Sequence, residues 1–247
     1  LILNIPPLIK FGRYDFDYDL NKERPLAETW LRTTFSIPAE TDLNSMAEMA
    51  NNPHLETADA LFELGFYNEA AAEYDLLRNE IIQDPLNNYR LLNHLLEKRL
   101  YRPAILISRQ ILDLAGMDDY STRNAPVYFN HIRYGAYYKE IVLPVAEQNN
   151  LDPITLFSLI RQESFFEGFA GSSAGAMGLM QLMPTTGKEI AENLNYPAAF
   201  KADDLFRPVV NIRLGANYFA HQRDYFGNDI YKMLAAYNAG PGRETQE

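Results

Sequence analysis

Apolar positions recur mostly at helical spacing along this chain. From Pro25 onward Leu26, Trp30 and Leu31 fall on one face, and Pro25 is expected at a first helical position. The stretch 53–116 repeats itself: Leu61, Glu63, Tyr67 and Ala70 return 34 residues later as Leu95, Glu97, Tyr101 and Ala104. An aromatic after a turn, followed three residues on by a small side chain, is a tetratricopeptide-like pattern of stacked α-hairpins. The alanine lets paired helices approach, and the tyrosine is expected to fill the groove between them. Asp84-Pro85 predicts an N-cap and first turn, and Gly116 a helix end. A polar, turn-rich stretch over 117–133 marks a domain boundary, giving 1–133 as a helical-repeat scaffold and 134–247 as a second domain. Helical spacing resumes over Tyr137–Gln148, with a kink or break expected at Pro144. Further helices are predicted from Asp152-Pro153 to Ser164, from Met183-Pro184 to Leu194, from Pro208 past Tyr218, and up to Gly240. The first 24 residues are less regular. Tyr14-Asp15-Phe16-Asp17-Tyr18 alternates aromatic and acidic, which fits a short strand or an extended lid over a helical body.

Composition narrows the function classes. Hydrophobic residues make up 47% and charged residues 22% of 247, as in ordinary globular proteins. The net charge of −11 disfavours phosphate tracking on nucleic acid and docking on anionic lipid. With no cysteine, thiolate chemistry and Cys-zinc sites are excluded, and the four histidines lack metal-ligand spacing, so no cofactor or metal is expected. No apolar run approaches the ~20 residues of a membrane span; the opening Leu1–Ile5 run is cut short by Pro6-Pro7. The chain lacks an initial Met, which reads as a mature form or fragment whose export signal or anchor lay upstream.

Candidate chemistry gathers in the second domain. Leu156, Ile160 and Glu163 share one helix face, so Glu163 sits on the inward stripe. A carboxyl group there loses water, its anion is disfavoured, and it is suited to general-acid work. The alternative is a helix-end carboxylate reaching solvent. A glycine-rich loop follows, with Gly168, Gly171, Gly175 and Gly178, able to bring backbone close to a ligand.

Three motifs in order carry a family resemblance: Ile160-Arg161-Gln162-Glu163-Ser164, Gly178-Leu179-Met180-Gln181, and Ala236-Tyr237-Asn238-Ala239-Gly240-Pro241-Gly242. Over roughly 134–242 the chain resembles the soluble lytic transglycosylases, peptidoglycan-cleaving enzymes with a goose-lysozyme-like catalytic domain. The resemblance implies an all-α fold, an α-hairpin superhelical segment followed by a lysozyme-like domain. It implies Glu163 as the single catalytic acid/base and Tyr237 as the tyrosine that hydrogen-bonds it. It implies Ser172, Gln181, Met183, Tyr218 and Asn238 as substrate-groove residues, with Asn238 fixing its motif. The plainer reading of Met183 is core filling, and that of Tyr218 a helix-face aromatic. The implied partner is the peptidoglycan glycan strand and the implied place the cell envelope or periplasm. Protein partners of the repeats are not readable from it. The implied reaction is closure of the C6 hydroxyl of N-acetylmuramic acid on C1, leaving a 1,6-anhydro end without water. Ordinary glycosidases use two carboxylates; here Asp203 and Asp204 read as caps or surface charges, and Glu167 as part of the loop. Peptidoglycan is anionic, so recognition by hydrogen bonds and aromatic or Met contacts is expected.

Gly171-Ser172-Ser173-Ala174-Gly175 satisfies a nucleophile-elbow pattern centred on Ser173, without the strand and helix that motif needs, and the downstream His221 reads as surface. Gly187-Lys188 lacks the rest of a phosphate loop. Hydrolytic lysozyme action and a non-catalytic glycan-binding scaffold complete the alternatives. Beyond Gly242 the chain departs from the family pattern: Glu244-Thr245-Gln246 reads as part of a later segment with an intervening loop missing.

Overall fold

A computed structural model describes residues 14–46 and 49–239. The Leu1–Ile5 run and the segment Gly240 to Glu247, including Glu244-Thr245-Gln246, lie outside the described residues. Among the described residues the structure is all-α, with two isolated β-bridges, Gly171 to Met177 and Met177 to Leu182.

Local chemistry sets the helix starts. Helix α1 spans Leu20–Phe35 and begins earlier than Pro25 would suggest, because the Asp19 carboxylate accepts from the Asn21 N–H and caps it there. Pro25 therefore lies inside the helix. Helices α2 (Pro53–Glu63) and α3 (Tyr67–Glu80) form one hairpin, and α4 (Pro85–Glu97) and α5 (Tyr101–Leu114) the next. Asp84 caps α4 through the Leu86 and Asn87 amides, and Gly116 follows α5 at φ +72°. Ala70 and Ala104 are fully buried where the paired helices meet. The core of this half runs from Ala27 through Leu77, Tyr89 and Ile111 to Tyr128, Phe129 and Ile132, the last three on α6 (Val127–Arg133).

The repeat tyrosines do something the spacing does not foretell. Tyr67 stacks on Phe169 at 5.5 Å, and Tyr101 stacks on Tyr137 at 4.0 Å. Both heads of the repeat thus reach out to the second half of the chain. The expected groove inside each hairpin is closed by Ala70, Tyr74 and Leu77 on α3 and by Ala104, Ile107 and Ile111 on α5.

The second half packs around Val142, Leu156, Ile160, Leu179, Met180, Ile212 and Phe219. It is built by α7 (Lys139–Gln148), α8 (Pro153–Ser164), α9 (Pro184–Leu194), α10 (Pro208–Tyr225) and α11 (Ile230–Ala239). Helix α7 runs through Pro144 without a break. Pro144 is the sixth residue of α7, so the one carbonyl it leaves without a helical partner lies in the first turn. The 14–18 segment is an extended strap, not a strand. Tyr14 donates to the Tyr134 carbonyl at 2.9 Å, the Ala136 amide donates to the Tyr18 hydroxyl at 2.8 Å, and Phe16 stacks on Phe157 of α8 at 5.5 Å. The alternating acids, Asp15 and Asp17, face solvent.

Candidate active site

Asp152 fixes the start of α8: its carboxylate accepts from the Thr155 amide at 2.8 Å, and Pro153 takes the first helical position. From that start Leu156 and Ile160 point into the core with no exposure, and Glu163 follows on the same face, half-buried. Partial burial pushes the Glu163 carboxyl above its ordinary pKa, and no other group contributes a shift. Among the described residues the carboxyl has no hydrogen-bond partner.

The next residue ties this helix end to the glycine-rich loop. Ser164 donates to the Leu179 carbonyl at 2.8 Å. Asn211 of α10, fully buried, receives the Met180 amide at 2.7 Å and donates to the Met177 and Leu205 carbonyls, both at 2.8 Å. Tyr237 of α11 donates to the Met180 carbonyl at 2.8 Å. The strip Met177–Gln181 is thus pinned by side chains from three helices, which satisfies a backbone that would otherwise be buried unpaired. Gly178 is required in this strip: at φ +76° a Cβ would lie 2.1 Å from the Leu205 carbonyl oxygen. Gly215 plays the matching part on α10, where a Cβ would meet the Met180 sulfur at 2.5 Å.

Tyr237 links the pieces. Its hydroxyl is held well above its ordinary pKa, first by burial, then by the charge of Glu163 and by Tyr218. Its ring lies 5.4 Å from Tyr218 and 5.8 Å from Phe219. Glu163, Tyr237 and Tyr218 therefore come together. The expected hydrogen bond from Tyr237 to Glu163 is not the one formed: the single hydroxyl proton goes to the Met180 carbonyl, and the charge of Glu163 acts on the tyrosine hydroxyl. Gln181 sits at φ +47° with its amide nitrogen committed to the Gly178 carbonyl at 2.8 Å and the Ala170 carbonyl at 3.2 Å. Met183 is 41% exposed at the start of α9, so it is not core filling.

Among the described residues, two expected residues make no hydrogen bond to Glu163, Tyr237 or the Met177–Gln181 strip. Ser172 is exposed, and its hydroxyl oxygen accepts from the Ala176 amide at 3.0 Å, closing the glycine loop on itself. Asn238 is exposed and makes no hydrogen bond among the described residues. Ser173 stands in the same exposed loop, with neither strand nor helix flanking it. Asp204 is a cap, accepting from the Lys201 amide at 2.8 Å and pairing with Arg207. His54, His94 and His131 each pair with a carboxylate of the repeat half, and His221 is exposed on α10. Glu167 differs from its sequence reading. It is largely buried, its pKa is raised by burial, and its charged neighbours are Arg102 and Asp75 on the repeat helices. It faces the scaffold.

Among the described residues, fold and site together define an all-helical structure in which hairpin repeats adjoin a helical unit that carries the desolvated carboxyl of Glu163 beside Tyr237. Residues 141–247 match the family model described as Transglycosylase SLT domain. It is 38% identical over 86 residues to the soluble lytic murein transglycosylase of Escherichia coli, covering 35% of this chain and 13% of that protein. An inactive mutant of the lytic transglycosylase Slt from Pseudomonas aeruginosa superposes with TM-score 0.66 at 26% identity, over 91% of this chain and 36% of that one. The 70 kDa soluble lytic transglycosylase of E. coli shares the fold at TM-score 0.62 and 20% identity, over 91% of this chain and 36% of that one. The chain thus spans well under half the length of these relatives.

Proposed function

We propose that this chain is a peptidoglycan lytic transglycosylase that cleaves the β-1,4 bond between N-acetylmuramic acid and N-acetylglucosamine without water. The observation that carries the reading is Glu163: a half-buried carboxyl with raised proton affinity, in the motif of a matched transglycosylase domain, with Tyr237 beside it. A proton-holding carboxyl near neutral pH is what leaving-group protonation requires.

Glu163 gives its proton to the glycosidic oxygen as the C1–O bond breaks, and the 2-acetamido oxygen supports the electron-poor C1. The carboxylate left behind takes the proton of the C6 hydroxyl, whose oxygen bonds to C1 and closes the 1,6-anhydro ring. Proton and bond counts balance, and Glu163 returns to its starting state. An intramolecular hydroxyl is already at high effective concentration, so no second carboxylate is needed to activate water. The pinned Met177–Gln181 strip and Tyr237 hold Glu163's surroundings in place. Gln181, Met183, Tyr218, Ser172 and Asn238 line the groove for the sugar chain, with the exposed Met183 and the ring of Tyr218 supplying apolar contact. Residues 1–133 serve as scaffold and 134–247 as the catalytic domain. A murein substrate places the protein outside the cytoplasm, in the cell envelope; no helix among the described residues is long and apolar enough to cross a membrane.

Digestion of purified peptidoglycan by the wild type and by Glu163→Gln tests the reading. Turnover falls by at least about 10²-fold in the variant if Glu163 carries the protons. Unchanged turnover in the variant removes Glu163 as the proton carrier, and absence of turnover in the wild type favours a glycan-binding scaffold; either result overturns the proposal.

A further inference from the structure

A group of polar atoms without protein partners lies away from Glu163, where the repeat helices meet the loop after α8. They line a cavity of ≈ 260 Å³. Tyr67, Tyr101 and Arg99 come from the repeats, and Tyr138, Glu167 and Phe169 from the second half. Glu167 Oε1 is buried with no hydrogen-bond partner among the described residues. The hydroxyls of Tyr67, Tyr101 and Tyr138 and the guanidinium of Arg99 likewise have none among those residues. The nearby Arg102 does not fill the need, since it is held by Asp75 at 3.2 Å. Arg99 is exposed, and its charge acts on both the Tyr101 and Tyr138 hydroxyls, so the guanidinium lies close to them.

A buried carboxyl oxygen without a donor costs stability that a bound N–H or O–H group returns. Aromatic faces around it favour a cation. A free guanidinium at the exposed side favours a carboxylate, which it grips with two parallel bonds. The volume is below the ~300–1,000 Å³ of drug-sized sites, so the cavity suits a small head group and not a glycan strand. An anion inside and a cation at the rim, with aromatic walls between, match one ligand chemistry.

We propose that this junction cavity binds the zwitterionic head of an α-amino acid, its ammonium against Glu167 and its carboxylate against Arg99. The head has two sources: a free amino acid, or, on the peptidoglycan reading, a diamino acid side chain of the stem peptide. The second source gives the scaffold a role in holding the strand whose sugars lie at Glu163. An arriving ammonium offsets the desolvation that raises the proton affinity of Glu167.

Titration calorimetry on the whole chain tests this, with meso-diaminopimelate, a disaccharide bearing its stem peptide, and the same disaccharide without peptide. Diaminopimelate binds the wild type, and Glu167→Gln and Arg99→Ala each weaken it about tenfold or more. Arg99 is exposed, so its variant folds and keeps the test decisive. If the peptide-bearing disaccharide also binds with the same sensitivity, the source is the stem; if only diaminopimelate does, it is a free amino acid, and the site stands in both cases. Absence of diaminopimelate binding, equal binding by both variants, or tight binding of the peptide-free disaccharide at these residues overturns the proposal. The readout is binding, so failure here leaves the Glu163 reading to its own turnover test.

Discussion

Asn211→Leu removes the amide that holds the Met177–Gln181 strip while keeping the side-chain size. Three hydrogen bonds of 2.7–2.8 Å are lost. The Met177 carbonyl keeps the Leu182 amide at 3.1 Å, but the Met180 amide and the Leu205 carbonyl lose their partner, and both residues have no exposure. Each orphaned buried group costs about 1–3 kcal/mol, so the variant is destabilised by roughly 2–6 kcal/mol. In a chain of this size that corresponds to a drop in Tm of roughly 5–20 °C. Denaturant or thermal melts measure the loss, and amide hydrogen exchange at Met180 locates it. Because the same strip anchors Tyr237 beside Glu163, turnover falls as well, even below the melting range. A variant with wild-type stability and slow exchange at Met180 would refute the claim that Asn211 holds the site together.

Other consequences follow from the same geometry. Gly178→Ala combines a left-handed backbone with a Cβ 2.1 Å from the Leu205 oxygen, and a loss of about 2–4 kcal/mol is expected in equilibrium unfolding. Tyr237→Phe leaves the buried Met180 carbonyl without its donor, so it costs about 1–3 kcal/mol and lowers turnover while the ring keeps its packing; a melt and a rate assay on the same preparation check both. Burial raises the folded-state pKa of Glu163 above the unfolded value, so its favourable contribution is complete below the ordinary carboxylate range and is lost as pH rises through the raised value. Glu163→Gln is therefore more stable than the wild type at neutral pH, a difference that disappears on acidification, as melts across pH would record. Asp84→Ala removes the cap of α4 and costs about 1 kcal/mol, read from the same melts.

What sequence could reveal here divides along physical lines. Helix starts set by local chemistry were readable: Asp84-Pro85, Asp152-Pro153 and Pro208 each act within a few residues of themselves. The inward turn of Glu163 followed from the helical period it shares with Leu156 and Ile160. Pro25 misled because a nearer cap, Asp19, starts α1 earlier. Residues whose task depends on a distant element were not readable. Asn211 looks like any polar residue in an amphipathic helix, and its three partners lie 6, 31 and 34 residues away. Ser164 reads as a helix end until the Leu179 carbonyl comes to meet it. The local pattern assigns Tyr67 and Tyr101 to their own hairpins, because nothing local shows that Phe169 and Tyr137 will arrive. Burial of Glu167 against the repeats is invisible for the same reason.

The central claim, that one carboxyl moves a proton out and back with no water consumed, is tested most directly by product masses from digestion in heavy-oxygen water. The account predicts muramic ends one water lighter than reducing ends and free of heavy oxygen, formed by the wild type and not by Glu163→Gln. Reducing ends carrying the heavy isotope would show a hydrolase and contradict it.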